Sequence, residues 1–220
     1  MDHRVLNEIK FLLWKEIKLE WRQRFAFNGI VLYLLSTLFT VYISSFNLNE
    51  KMWIGLFWII LLFASVNAVA KSFIAESKNR LLYFYTITNP VAMLLSKMVY
   101  NIMLMLLLSA VGLFFYCLIL GNPVQSFSFF LLVVFLGSIS FSLCFTMMSA
   151  VASKANNNTT LMVILSFPII IPVLLVLIKL SVAALSAYAD FPVKDLFILI
   201  GVDVILLLMA IILFPYLWHD

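Results

Sequence analysis

Charge is scarce in this sequence. Among 220 residues, 11% are Asp, Glu, Lys or Arg, 65% are hydrophobic, and the mean hydropathy is +1.14. A soluble domain carries about a quarter charged residues, so a water-soluble fold is excluded. Phosphate-cradling loops are missing as well. No GxxxxGK[ST] occurs, and the six glycines (Gly29, Gly55, Gly112, Gly121, Gly137 and Gly201) stand singly, which excludes ATP binding of that kind. Cysteine is scarce: Cys117 and Cys144 lie in apolar runs, with no CxxC and no Cys/His cluster. Their expected depths differ by about 14 residues, roughly 20 Å along a helix, too far for a disulfide, whose Cα atoms lie within about 7 Å. The two histidines, His3 and His219, sit at opposite ends. No metal site and no catalytic residue is expected.

What remains is an all-α polytopic membrane protein. About 20 apolar residues span a bilayer as a helix. Six runs qualify: Phe25–Ser45, Met52–Ala70, Leu94–Leu120, Phe127–Ala152, Thr160–Ile178 and Leu196–Trp218. They are read as one domain over 1–220. The first run follows a charged segment, 1–24, with no small-residue cleavage site after it, so no cleavable leader is expected.

The net charge of +4 sits at the ends of these runs rather than in a nucleic-acid-binding patch. Arg4, Lys10, Lys15, Lys18, Arg22, Arg24, Lys71, Lys78, Arg80, Lys97 and Lys154 fall on one side, against Lys51, Lys179 and Lys194 on the other. The positive-inside bias then places both termini and segment 71–93 in the cytoplasm. Segment 1–24 is too charged to span. Leu6, Ile9, Leu13, Ile17 and Trp21 recur at steps of three and four, which predicts an amphipathic helix in the cytoplasmic interface. A helix packed on a partner is the alternative.

The polar residues inside the runs are few. Asp203, within LIGVDVILLL, is either a functional carboxylate, the default for an acid at that depth, or a structural contact, with Lys179 or Lys194 as candidate partner. Asn67 and Asn101 suit interhelical hydrogen bonds or the lining of a substrate path. Pro168 and Pro172, four apart, each remove a backbone donor. They predict a bent or broken fifth span that faces protein. Between the second and third runs, AESKNRLLYFYTITNP carries charge, then an apolar group too short to span, then an Asn-Pro turn signal. Docking into a partner's groove and covering lipid headgroups fit it equally.

The run FIAESKNRLLYFYTITNPVAMLLSK resembles the type-2 ABC exporter permeases, in which a Glu, a short leucine-rich helix, a Pro and a Lys separate the second and third spans. Here these are Glu76, Leu81, Leu82, Pro90 and Lys97, with Arg80 beside them. Over nearly its full length the chain resembles the CcmB family, the permease subunits of cytochrome c maturation. FLLWKEIKLEWRQR at the start and SFPIIIPVLLV in the fifth run carry that likeness. The resemblance implies an inner-membrane subunit that binds no cofactor of its own. It implies a separate CcmA-like ATPase docked on Glu76, Arg80, Leu81, Leu82, Pro90 and Lys97. CcmC-like, CcmD-like and CcmE-like haem-handling partners, a second copy of the chain, and haem as cargo are also implied. The alternatives are a permease for a lipid, glycan or drug, and a scaffold that transports nothing.

Overall fold

The computed structural model describes residues 3–22, 24–44, 48–69, 88–154, 159–186 and 192–219. Among them every regular element is an α-helix: α1 (His3–Arg22), α2 (Arg24–Ser44), α3 (Glu50–Val69), α4 (Pro90–Leu120), α5 (Phe127–Lys154), α6 (Thr159–Ala183) and α7 (Val193–His219). A helix satisfies its own backbone polar groups, which a bilayer core demands. Five of these, α3 to α7, are long and apolar enough to cross a membrane. In α2 the apolar stretch is shorter, Asn28–Ser44. The protein is a multi-pass membrane protein.

Helix α5 is the centre of the bundle and packs against α3, α4, α6 and α7. Every residue from Ser140 to Ala150 is buried. Among its inner positions are many small or hydroxylic ones (Gly137, Ser138, Ser140, Ser142, Cys144, Thr146, Ser149, Ala150), interleaved with large ones such as Phe141, Phe145 and Met147, and the small ones let neighbouring helices approach closely. Hydrogen bonds then tie the layers together. The Ser138 hydroxyl donates to Ser109 Oγ on α4 at 2.9 Å, and Asn101 Nδ2 on α4 donates to Thr146 Oγ1 at 2.8 Å. Helix α4 ends at Gly121, whose φ of 76° suits glycine, and residues 121–126 lead directly into α5.

Aromatic side chains lock the end where α3 begins and α4 finishes. Trp53 meets Tyr116 edge-on at 4.6 Å between centroids, and Phe57 lies 5.5 Å from Phe130. Their polar tips are bonded as well: Tyr116 donates to the Trp53 carbonyl at 2.7 Å, and Trp53 Nε1 to the Gly121 carbonyl at 3.1 Å. One layer deeper, Trp58 lies against Gly137 so closely that a Cβ added there would sit 2.4 Å from its ring. Its Nε1 donates to Ser181 Oγ on α6 at 2.8 Å.

The fifth apolar run differs from expectation. Helix α6 continues through Pro168 and Pro172 without a break, and both prolines lie on its exposed face. The buried face carries Met162, Ser166, Ile170, Val173, Leu177 and Leu180. Residues four apart stack on one side of a helix. Both missing donors therefore fall on the outer stripe, away from the inner face.

Candidate functional site

The described part of the expected docking region begins at Thr88. Glu76, Arg80, Leu81 and Leu82 lie outside the described residues; Pro90 and Lys97 lie within them. Asn89 caps α4: its backbone is extended and its Oδ1 accepts from the Val91 N–H at 3.0 Å. Pro90 takes the first helical position, where a missing N–H costs nothing. The third expected span therefore starts four residues earlier than its hydropathy suggests.

Helix α1 lies along this start. The Asn89 N–H points to Glu8 Oε2 at 3.5 Å, and Lys97 Nζ lies 3.1 Å from Glu16 Oε1. Between Glu8 and Glu16, Leu12 is buried. Of the apolar face expected from periodicity, Ile9 and Leu13 are half-buried and Ile17 is exposed. The inner face is thus rotated by about one position, toward Leu12 and the two acids. On the outer side, Phe11 is 79% exposed and Trp14 66% exposed, with Lys18 Nζ 5.5 Å above the Trp14 ring.

Lys97 was expected to touch a partner; the structure places it inside the chain. Its side chain is 2% exposed, against 15% for Glu16. Lys15 Nζ also lies 3.1 Å from Glu16 Oε1. Burial opposes the Glu16 charge, but Lys97 and Lys15 together outweigh it and hold the carboxyl below its ordinary range. Sequence reasoning missed this pair. The available signal was a lone lysine in an apolar run, which needs an acid nearby, in a chain with ten acids in all.

The other polar candidates do not converge on this end. Asp203 is buried on α7 beside Ser140 of α5, and its Oδ1 has no hydrogen-bond partner among the described residues. Lys179, considered as its partner, instead pairs with Asp195 at 2.9 Å. Asn101 makes the interhelical bond to Thr146 described above. Asn67 does not: it is exposed, and its amide donates to Phe63 within its own helix at 3.0 Å. Cys117 and Cys144 are free thiols. Among the described residues no three His, Cys, Asp or Glu side chains gather in a metal-binding arrangement.

Comparison with known families gives these features a context. The sequence matches the profile of the CcmB protein family over residues 7–216. The chain belongs to the CcmB family. That match begins within α1 and ends within α7, so the α1–α4 contact and the whole bundle lie inside it. Members of this family are membrane permease subunits, and the helices long enough to cross a bilayer agree with that assignment. No curated protein matches the chain.

Proposed function

We propose that this chain is the permease subunit of an ABC complex that serves haem export or haem-chaperone release in cytochrome c maturation. A separate CcmA-like ATPase supplies the energy. The observation that carries this reading is the family match across residues 7–216. In this reading α2 is the first of six spans, α1 stands beside the start of α4 at the cytoplasmic side of the bacterial inner membrane, and both termini are cytoplasmic, as the distribution of Lys and Arg suggests. The ATPase docks on segment 71–93 through Glu76, Arg80, Leu81, Leu82 and Pro90, and haem-handling subunits of the CcmC, CcmD and CcmE kinds complete the assembly. Lys97 holds the start of α4 from within rather than meeting the ATPase.

Deleting the gene tests the assignment. Holo-cytochrome c should disappear while b-type cytochromes persist. Survival of covalent haem staining in the deletion strain would overturn it. Alanine at Glu76 or at Leu81 and Leu82 should detach or uncouple the ATPase, seen as lost co-purification or an altered rate of ATP turnover.

A further inference from the structure

Two polar contacts between α1 and the start of α4 share one offset. Glu8 meets Asn89 and Glu16 meets Lys97, each pair 81 residues apart. Leu12 and Met93, also 81 apart, are both buried at the midpoint. A constant offset means that the two helices run side by side in the same direction, in register over eight residues, about 12 Å of helix. Glu8 adds its negative charge at the N-terminus of α4, where the helix dipole favours it. Helix α1 leads into α2 with one residue between them and packs extensively on α4; α2 packs on α4 as well, with Leu34 beside Gly112.

We infer that Lys97 is a positioning residue: through Glu16 it fixes α1 to the start of α4, so that the two helices stay in register and move as one body. A buried ion pair contributes little net stability compared with a well-packed apolar pair. What it does impose is register, because sliding either helix strands a desolvated charge. The apolar Leu12 contact alone would tolerate a slip, whereas the charge pair at its C-terminal end and the Glu8 contact at its start do not. Under the proposed function, displacement of α4 by the ATPase therefore carries α1 and its exposed Phe11, Trp14 and Lys18 with it.

This inference rests on that reading for its role in transport, but the brace can be tested separately. Cys117 and Cys144 are first replaced by alanine. Spin labels are then placed through Lys10→Cys on α1 and Val99→Cys on α4, both exposed positions. Distances are measured in lipid nanodiscs for the chain alone, and for its complex with the ATPase subunit with and without a non-hydrolysable ATP analogue. The 10-to-99 distance should stay constant across nucleotide states. Lys97→Met should broaden the 10-to-99 distribution even in the isolated chain. It should also lower coupled ATP turnover about tenfold, within the range of direct pair energies. The double reversal Glu16→Lys with Lys97→Glu should restore both. If Lys97→Met does not accumulate, Glu16→Gln with Lys97→Met removes both charges of the pair, leaves Lys15 partly exposed to solvent, and should broaden the same distance. A 10-to-99 distance that follows nucleotide, an unbroadened neutral variant, or a double reversal no better than either single change would overturn the inference. Failure of the ATPase to co-purify would count against the proposed function alone, since broadening in the isolated chain reports on the brace.

Discussion

At one end of the bundle Trp53, Phe57, Tyr116 and Phe130 interlock, with Trp58 one layer below; at the other, Lys97 reaches Glu16 across the face of α1. The aromatic end draws on dispersion and apolar packing, and its polar tips are bonded to carbonyls and to a hydroxyl. Its geometry depends little on pH or salt. The α1 end is held in part by charge, so an approaching charge or a proton acts on it directly. Under the proposed function, the aromatic end is the stiff region and the contact of α1 with α4 is the responsive one.

The largest effect should come from the stiff end. Trp58→Ala removes a fully buried indole from among Gly137, Phe141, Leu177 and Ser181 and should cost about 3–5 kcal/mol, as for other large-to-small core changes. Gly137→Ala approaches the same site from the other side, since its Cβ would meet the Trp58 ring at 2.4 Å. Adding Trp58→Phe, which deletes the clashing ring atoms, should recover part of that loss. Thermal unfolding in detergent orders the variants. A Gly137→Ala protein as stable as the parent would show that the aromatic end is not tightly packed.

Acid should separate the two ends. The Glu16 carboxyl titrates below its ordinary value of 4.5 because Lys97 and Lys15 together outweigh its burial. Its contribution is therefore fully present above that value and is lost as pH falls through the lower, folded-state value. Hydrogen exchange below pH 4.5 should loosen α1 before the segments around Trp53 and Tyr116. Simultaneous loss of protection at both ends would erase the distinction between them.

Much of this architecture could be read from hydropathy, and the places where it could not share one cause. The run expected at Phe127–Ala152 is the helix Phe127–Lys154, because a bilayer forces any long apolar segment to be helical. Which face of a helix points inward is another matter. In water an apolar stripe marks the core, but in lipid both faces are apolar. Nothing in SFPIIIPVLLV shows that Ile170 and Val173 are inside while Ile171 and Pro172 are outside. Small residues carried the information instead: the serines and Gly137 of α5 mark the centre that α6, with its large side chains, does not occupy. Of the candidate site, Lys97 was singled out, but the acid it meets within the chain was not. Its partner Glu16 lies 81 residues away, a pairing that periodicity within one helix cannot reveal. The start of α4 was misplaced for a local reason: Asn89-Pro90 reads as a turn and is also a helix cap followed by proline at the first position.

Between the two ends, Asn101→Leu tests the polar ties along α5. It breaks the 2.8 Å bond to Thr146 and should cost about 1 kcal/mol, in keeping with interhelical hydrogen bonds inside membranes. Thr146→Val together with Asn101→Leu should cost less than the sum of the single changes, because no stranded partner remains.

The smallest effect should come from an ion pair that differs from Lys97–Glu16 mainly in exposure. Lys179 and Asp195 lie 2.9 Å apart, closer than the buried pair, yet the Lys179 side chain is 68% exposed. Water and salt screen such a pair, and exposed pairs contribute about 0–1 kcal/mol. Lys179→Gln should therefore leave the melting temperature almost unchanged, with any small difference fading as salt is raised. Lys97→Met removes a pair of similar length and should be clearly felt at every salt concentration, because the ammonium it deletes is shielded from ions. Measuring both variants across a salt series isolates burial from distance. If the two responded alike, the charge at the α1 end would be no more than an ordinary surface pair, and the contrast between the ends of the bundle would rest on packing alone.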